Sequence, residues 1–399
     1  MFGLFKKMAP DRFAKIVLDE IVGAGGPKDY VFVPDTFMLK RDSDLINLRN
    51  VYEQYCREKD DVRERTLRHF VAALISSKST KPIQLDEARD RLAAVVRERA
   101  MFSQAEAIWS IEYDRPPGAK MVFEPLTKWF SKTVVLDFPG HVTVVSETQL
   151  KEWGIDFDEA FEIGISNLRK GSSPRFGRDG TFFTGLWKDD YDSSRVLLPE
   201  LLADLHLDGD PVFVLPNRLT LLVAGSKDES GIRAMLTKAE EIMRAETKPQ
   251  NPSPLVIQHG QVCDFEVPRS SPIFHNVQRA QRLAALEYCN DQKGQLDKLY
   301  AQKGKDLFVA SYKLNMAKDG EYSSFSVWSK GVPSLLPETD TVFFFDPSLP
   351  KDRQMVARAP WARVASVAGD MMLDTNMFPK RHYVSKFPST EQLVSLSQA

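Results

Sequence analysis

Cysteine is scarce. Cys56, Cys263 and Cys289 stand far apart, odd in number and without a C-x-x-C pair. This pattern is neither a disulfide framework nor a zinc finger, and it suits a reducing cytoplasm. Long apolar runs are also missing: none approaches the roughly 18 residues that a membrane-spanning helix needs. The opening "MFGLFKKMAPDRFAKIVLDEIV" carries Lys6 and Lys7 but no continuous apolar stretch behind them, which makes it a poor signal peptide. Neither sign of charge is in excess, with 53 Lys+Arg against 55 Asp+Glu and a net charge of −2. A dedicated nucleic-acid binder normally shows a basic excess, so that class is disfavoured. Catalytic signatures are absent too. The six histidines form no H-x-x-x-H or H-E-x-x-H. There is no G-x-S-x-G. "GAGGPKD", residues 23–29, lacks the G-K-[ST] ending of a phosphate loop. No metal site and no cofactor is expected, and the balance leans away from an enzyme.

What is present is ordinary globular material. Hydrophobic residues make up 43% and charged residues 27%, enough apolar side chain for sizeable cores. A chain of 399 residues calls for two or three domains of about 100–200 residues each. The patterning predicts an α+β fold with helices on small mixed or antiparallel sheets. Residues 1–110 read as mainly helical, with a strand pair or an edge strand at "DYVFVPDTFMLKRD". The longest helical reading there is "LDEARDRLAAVVRERAMFSQAEAIWS". Residues 111–246 read as an α+β core. Within it lie a hairpin at Pro139-Gly140, a capping box of Ser146 and Gln149, and a helix over "SSRVLLPELLADLHL". Two more strands turn at Pro216-Asn217, and a helix covers "DESGIRAMLTKAEEIMRAE". "TKPQNPSP", residues 247–254, reads as a linker. Residues 255–399 read as a C-terminal module, one long helix plus a mainly antiparallel sheet. Its four strand candidates include "WARVASVAGDMML".

"WKDDYDSSR", residues 187–195, gathers three aspartates, a tyrosine, two serines and an arginine in one short run. Asp190 and Asp192 flank Tyr191 and could hold a divalent cation or act as acid and base. Equally, Asp192 or Ser193 could cap the following helix. Capping leaves Arg195 unexplained, because a cation near a helix start is slightly unfavourable. Arg195 therefore calls for a specific partner, internal (Asp190, Asp192) or external. Asn217 and Arg218, in "LPNR", suit an ordinary turn; Arg218 beside Arg195 would form a two-arginine anion site. Tyr191, Arg195, Asn217 and Arg218 are thus the candidate ligand residues. Tyr322, Phe325 and Trp328 on an aromatic strand, with Arg381 in the basic "FPKRHYVSKFP", are the candidate partner surface. Cys289 reads as a buried apolar residue.

The order of these motifs carries a resemblance. "HVTVVSETQLKEWGIDFDEAFEIGISNL" through "TFFTGLWKDDYDSSRVLLPELLADLHLDGDPVFVLPNRLTLLVAG" resembles the bacterial YtpQ-like family of uncharacterised proteins. It has the same succession of L-x-x-W-G, an aromatic strand, D-x-Y-D-x-S-R and a proline-centred hairpin. The resemblance covers residues 1–270, and the remainder is additional to the compact form of that family. It implies a bacterial cytoplasmic protein and brings no reaction or catalytic residue. The expected function is a non-enzymatic binding or adaptor protein with a protein partner. The alternatives are a divalent-metal-dependent hydrolase or phosphotransfer-related enzyme using Asp190 and Asp192, and a partner-binding component of a toxin–immunity or defence system.

Overall fold

The structure, a computed structural model, describes residues 8–34, 37–42, 44–57, 60–78, 83–103, 120–138, 141–245, 250–317 and 321–397. At the N-terminal end, helix α1 (Pro10–Gly23) starts on a proline whose missing N–H costs nothing there. Phe13, Ala14, Val17 and Ile21 recur at helical spacing and form its buried face. Strands β1 (Val31–Val33), β2 (Met38–Arg41) and β3 (Asp44–Asn47) follow as an antiparallel meander. Helices α2 (Arg49–Arg57) and α3 (Asp60–Lys78) close a separate core that includes Phe13, Leu39, Leu48 and Val71.

The next stretch departs from the helical reading. A single turn, α4 (Leu85–Ala88), leads into strand β4 (Leu92–Glu98), in which six of the seven residues are buried. Ala, Arg and Glu in "LAAVVRERA" favour a helix locally. Pairing with a neighbouring strand and burial on both faces override that preference. The neighbour is β6 (Phe130–Phe138), which also pairs with β5 (Phe123–Pro125) and β7 (His141–Val144). The expected hairpin between β6 and β7 is present; Pro139-Gly140 themselves lie outside the described residues. Helix α5 (Glu147–Trp153) opens on the complete capping box of Ser146 and Gln149 and ends on Gly154 at φ 69°. Helix α6 (Phe157–Lys170), capped by Asp156, lies against β4 at Gly164. A Cβ there would come within 2.6 Å of the Ala94 nitrogen, so only glycine allows this approach.

A six-stranded antiparallel sheet forms the centre. Its strands are β8 (Phe176–Asp179), β9 (Phe182–Gly185), β10 (Pro211–Asn217), β11 (Thr220–Gly225), β12 (Asn251–Gln258) and β13 (Gln261–Asp264), in the order β13-β12-β10-β11-β9-β8. Both faces are covered. Phe213, Leu215, Val223 and Leu255 enter the largest core, while Val212, Val214, Leu222 and Val256 meet helix α7 (Glu229–Ala245) in another. Two expectations give way here. The "SSRVLLPELLADLHL" helix is two 3₁₀ segments, Asp192–Leu197 and Pro199–Leu205; Pro199, with no N–H and a ring that fills the preceding turn, prevents one continuous α-helix. The supposed linker also gives way at residues 251–254, which begin β12 and are wholly buried beside β10.

Helix α8 (Phe274–Gln302) packs on β12 and carries Ala284, Ala285, Tyr288 and the buried Cys289 into the largest core. The remainder holds β14 (Phe308–Val309), β15 (Lys313–Met316), β16 (Tyr322–Ser329), β17 (Ser334–Pro337), β18 (Thr341–Phe345), β19 (Met355–Pro360), α9 (Trp361–Ala368), β20 (Leu373–Asp374), β21 (Arg381–Val384) and α10 (Thr390–Ser397). Two four-stranded mixed sheets replace the expected single, mainly antiparallel one. β14 runs parallel to β17, and β16 parallel to β18. "WARVASVA" is helical because Val364 and Ala368, four residues apart, share the buried face. The chain is α+β throughout, and among the described residues no helix is long and apolar enough to cross a membrane.

Candidate functional site

The polar run at residues 187–195 folds against the free edge of β4, where Ser194 Oγ accepts the Val96 N–H at 3.2 Å. Arg195 finds its partner inside the molecule, and it is Asp189 rather than Asp190 or Asp192. The two close a bidentate pair at 2.7 and 2.5 Å. Arg195 Nε also donates to Ser172 Oγ at 2.8 Å, and the guanidinium lies 4.6 Å from the Trp187 ring centre. With Arg195 3% exposed, it is a structural group and not a ligand grip. Burial pushes the Asp189 carboxyl up, and the bonds to Arg195 overcome this and hold it below the usual range.

Asp190 and Asp192 do not form a paired-carboxylate site. Asp190 is exposed on a turn at φ 67°, whereas Asp192 is fully buried. One Asp192 oxygen accepts the Asp189 N–H, the other has no hydrogen-bond partner, and burial raises the carboxyl above its usual range. The segment starts without a side-chain cap, so Asp192 and Ser193 serve differently from the capping expectation. Among the described residues no group of three or more His, Cys, Asp or Glu side chains is placed to hold a metal ion.

Arg218 meets a different arginine from the expected one. Strand β10 continues through Asn217, so the turn falls at Arg218-Leu219, where the Asn217 side chain accepts the Leu219 N–H at 3.0 Å. The Arg218 carbonyl accepts the Ser193 N–H, which ties this turn to the polar run. Its guanidinium touches Met101 Sδ at 3.8 Å, and its charge acts on Arg97 of β4. Arg97 is 3% exposed and donates to the carbonyl of its neighbour Val96 at 2.9 Å. Burial, with the charge of Arg218 beside it, lowers the Arg97 guanidinium to about 9; Tyr191 and Asp190 oppose that shift. Burial also lowers Arg218, against the pull of Glu98 and Asp190. Among the described residues neither arginine forms a salt bridge with a carboxylate. Tyr191 is tied to the β6 strand. Its hydroxyl donates to Asp137 at 2.7 Å, and burial followed by that carboxylate keeps the phenol protonated. The sequence signal for Arg97 was a lone cation at the end of the apolar run "LAAVV".

Glu98 points to the opposite face of β4, where the Tyr288 hydroxyl of α8 donates to its carboxylate. Burial pushes Glu98 up to about 7, against the pull of Tyr288 and Arg218. Below about pH 4.5 both folded and unfolded states hold the proton. As pH rises towards 7 only the unfolded state releases it, so stability falls across that window. The Glu98→Gln variant should gain on the wild type by about 3 kcal/mol between pH 4.5 and 7.5 in urea denaturation. A difference that stays flat with pH would contradict this assignment.

The C-terminal candidates separate. Trp328 and Arg381, expected on a partner surface, are 1% and 0% exposed and lie in the core. The alternation of β16 points Ser324, Ser326 and Trp328 inward. Phe325 faces outward against Phe343 at 5.3 Å, and Tyr322 lies under Arg279 at 5.8 Å. Both remain partly exposed. The basic patch is compensated: Lys380 pairs with Asp374 and Glu338 at 3.1 and 3.7 Å, and His382 meets Glu338 at 3.0 Å. No protein-family model matches the chain, and no curated protein or solved structure matches it.

Proposed function

We propose that this chain is a non-enzymatic binding protein that recognises an anionic group through Arg97 and Arg218. The observation that carries the reading is a buried guanidinium, Arg97, within electrostatic reach of a half-buried one, Arg218, with no carboxylate pair for either among the described residues. A buried cation without a partner costs the fold free energy. Strongly perturbed charged groups gather where a protein binds or reacts. Arginine presents a planar fork of donors that matches a carboxylate or phosphate. A protein partner bearing such a group, a bacterial cytoplasmic setting and the YtpQ-like resemblance belong to the same proposal. The metal-dependent enzyme has less support, because Asp190 and Asp192 differ so widely in exposure.

The test compares Arg97→Met and Arg218→Gln with wild type by calorimetric titration of phosphate and acetate at fixed ionic strength. Each substitution should weaken binding at least about tenfold, or 1.4 kcal/mol. Arg97→Met should leave the melting temperature unchanged or higher, because it removes a desolvated charge. A purely structural arginine would give the reverse: lowered melting and unaltered binding.

A further inference from the structure

A cleft of about 940 Å³ opens between the central part of the chain and the C-terminal sheets, and neither Arg97 nor Arg218 lines it. Part of its lining closes a ring of contacts. Arg99, the residue after β4, donates from Nη1 to the Lys128 carbonyl at 3.1 Å, and its guanidinium lies 4.2 Å from the Phe378 ring centre. Phe378 meets Trp129 edge-on at 5.7 Å, and the Lys128 ammonium lies 5.1 Å from the Trp129 ring centre. The Lys128 N–H donates to Asp264 Oδ2 at 2.9 Å. Among the described residues neither Arg99 nor Lys128 forms a salt bridge. Aromatic faces hold both cations in place without cancelling their charge.

Four cations and five carboxylates line the cleft. Arg99 and Lys128 against Asp264 leave one positive charge. Arg282 and Asp340 cancel as a bidentate pair. Lys380 is shared by Asp374 and Glu338 at 3.1 and 3.7 Å, which leaves one negative charge. His382, 3.0 Å from Glu338, offsets that charge only when protonated. Glu266 is exposed and adds a second negative charge. The cleft therefore holds a positive excess in one group of residues and a negative excess in another, and its total disfavours a bare anion.

We infer that this cleft takes a small zwitterion with an aromatic ring: an aromatic amino acid, or a dipeptide ending in one. The carboxylate goes to Arg99 and Lys128, whose heads the two rings already hold in place. The ammonium goes to Glu338 and Asp374, which have only one lysine between them. The ligand ring packs on Phe378 and Trp361, both partly exposed. Small-molecule pockets span about 300–1,000 Å³, and this one is large enough for the dipeptide.

Calorimetric titration of the full chain at pH 7.5 and constant ionic strength tests this. The probes are L-phenylalanine, alanyl-phenylalanine, N-acetyl-phenylalanine, phenylalanine amide and L-alanine. One or both of the first two should bind, and the tighter tells a free amino acid from a peptide end. The N-acetyl compound lacks the ammonium, the amide lacks the carboxylate and alanine lacks the ring; each should bind at least about tenfold more weakly. Lys128→Met and Arg99→Gln should weaken the zwitterion about tenfold and leave the amide as it is. Glu338→Gln and Asp374→Asn should weaken the zwitterion and spare the N-acetyl compound. Each pair addresses one group of charges, so one member suffices if the other folds poorly. An N-acetyl compound that matches phenylalanine makes the cleft an anion site, a matching amide makes it a cation site, and matching alanine removes the ring; any of these overturns the inference. So does wild-type affinity in all four variants, or failure of both zwitterions to bind. Phosphate binding, which tests Arg97 and Arg218, stands apart from every one of these results.

Discussion

Replacing Arg381 by methionine should destabilise the protein by about 4 kcal/mol, one of the two largest effects expected of a single change here. The side chain is fully buried and joins three separate segments. Its Nε donates to Gln292 Oε1 at 2.5 Å and its Nη2 to the Cys289 carbonyl at 3.0 Å, both on α8. Its Nη1 donates to the carbonyls of Ala310 and Leu335 at 2.7 and 3.0 Å. Gln292 in turn donates to the Pro379 carbonyl at 2.8 Å, so the network returns to the segment just before the strand that carries Arg381. Methionine fills much of the volume but takes a donor from four buried acceptors; the Leu335 carbonyl keeps the Ala310 N–H, and an acceptor left with no donor costs about 1–3 kcal/mol before relaxation. Lysine should recover only part of the loss, because one ammonium cannot span acceptors arranged around a planar fork. Hydrogen exchange should show faster opening of residues 308–316, 334–337 and 381–384, with residues 31–47 unchanged. A loss below about 1 kcal/mol in urea denaturation would show that the network is dispensable.

The second large effect concerns Arg195 and Asp189, and it should be asymmetric. The Arg195 side chain is 1% exposed and that of Asp189 is 42% exposed. Asp189→Ala strands a cation in the core and should cost about 3–5 kcal/mol. Arg195→Met leaves a carboxylate that can reach water, so it should cost less, about 2 kcal/mol. That cost comes mainly from the lost Ser172 bond and the lost contact with Trp187. Equal losses in the two variants would show that Asp189 is as desolvated as its partner. Arg97→Met, by contrast, removes a buried cation that has no salt bridge among the described residues. Three arginines close in burial therefore differ in what they do, and the difference lies in their partners: carbonyls for Arg381, a carboxylate for Arg195, another cation beside Arg97.

Local chemistry was readable from the chain wherever neighbours in sequence decide the outcome. The capping box at Ser146 and Gln149, the helix end at Gly154, the amphipathic α1 and α7 and the hairpin of β6 and β7 all depend on residues a few positions apart. The α+β class follows from the same short-range patterns, and the long α8 was legible too. Misreadings fell where distant residues decide. β4 carries a helix-forming composition, and its pairing with β6 some forty positions on makes it a strand. "NPSP" has the composition of a linker, and burial beside β10 makes it part of the central sheet. The same division runs through the site. The sequence by itself determined that Asp, Tyr, Ser and Arg crowd into residues 189–195 and that Arg218 lies at a turn. Only the tertiary structure decided that Asp189 neutralises Arg195, that Arg97 is buried within electrostatic reach of Arg218 and that Arg381 is a core residue. The physical reason is that a charged side chain takes its role from the groups that replace its water, and those groups come together only when the chain folds.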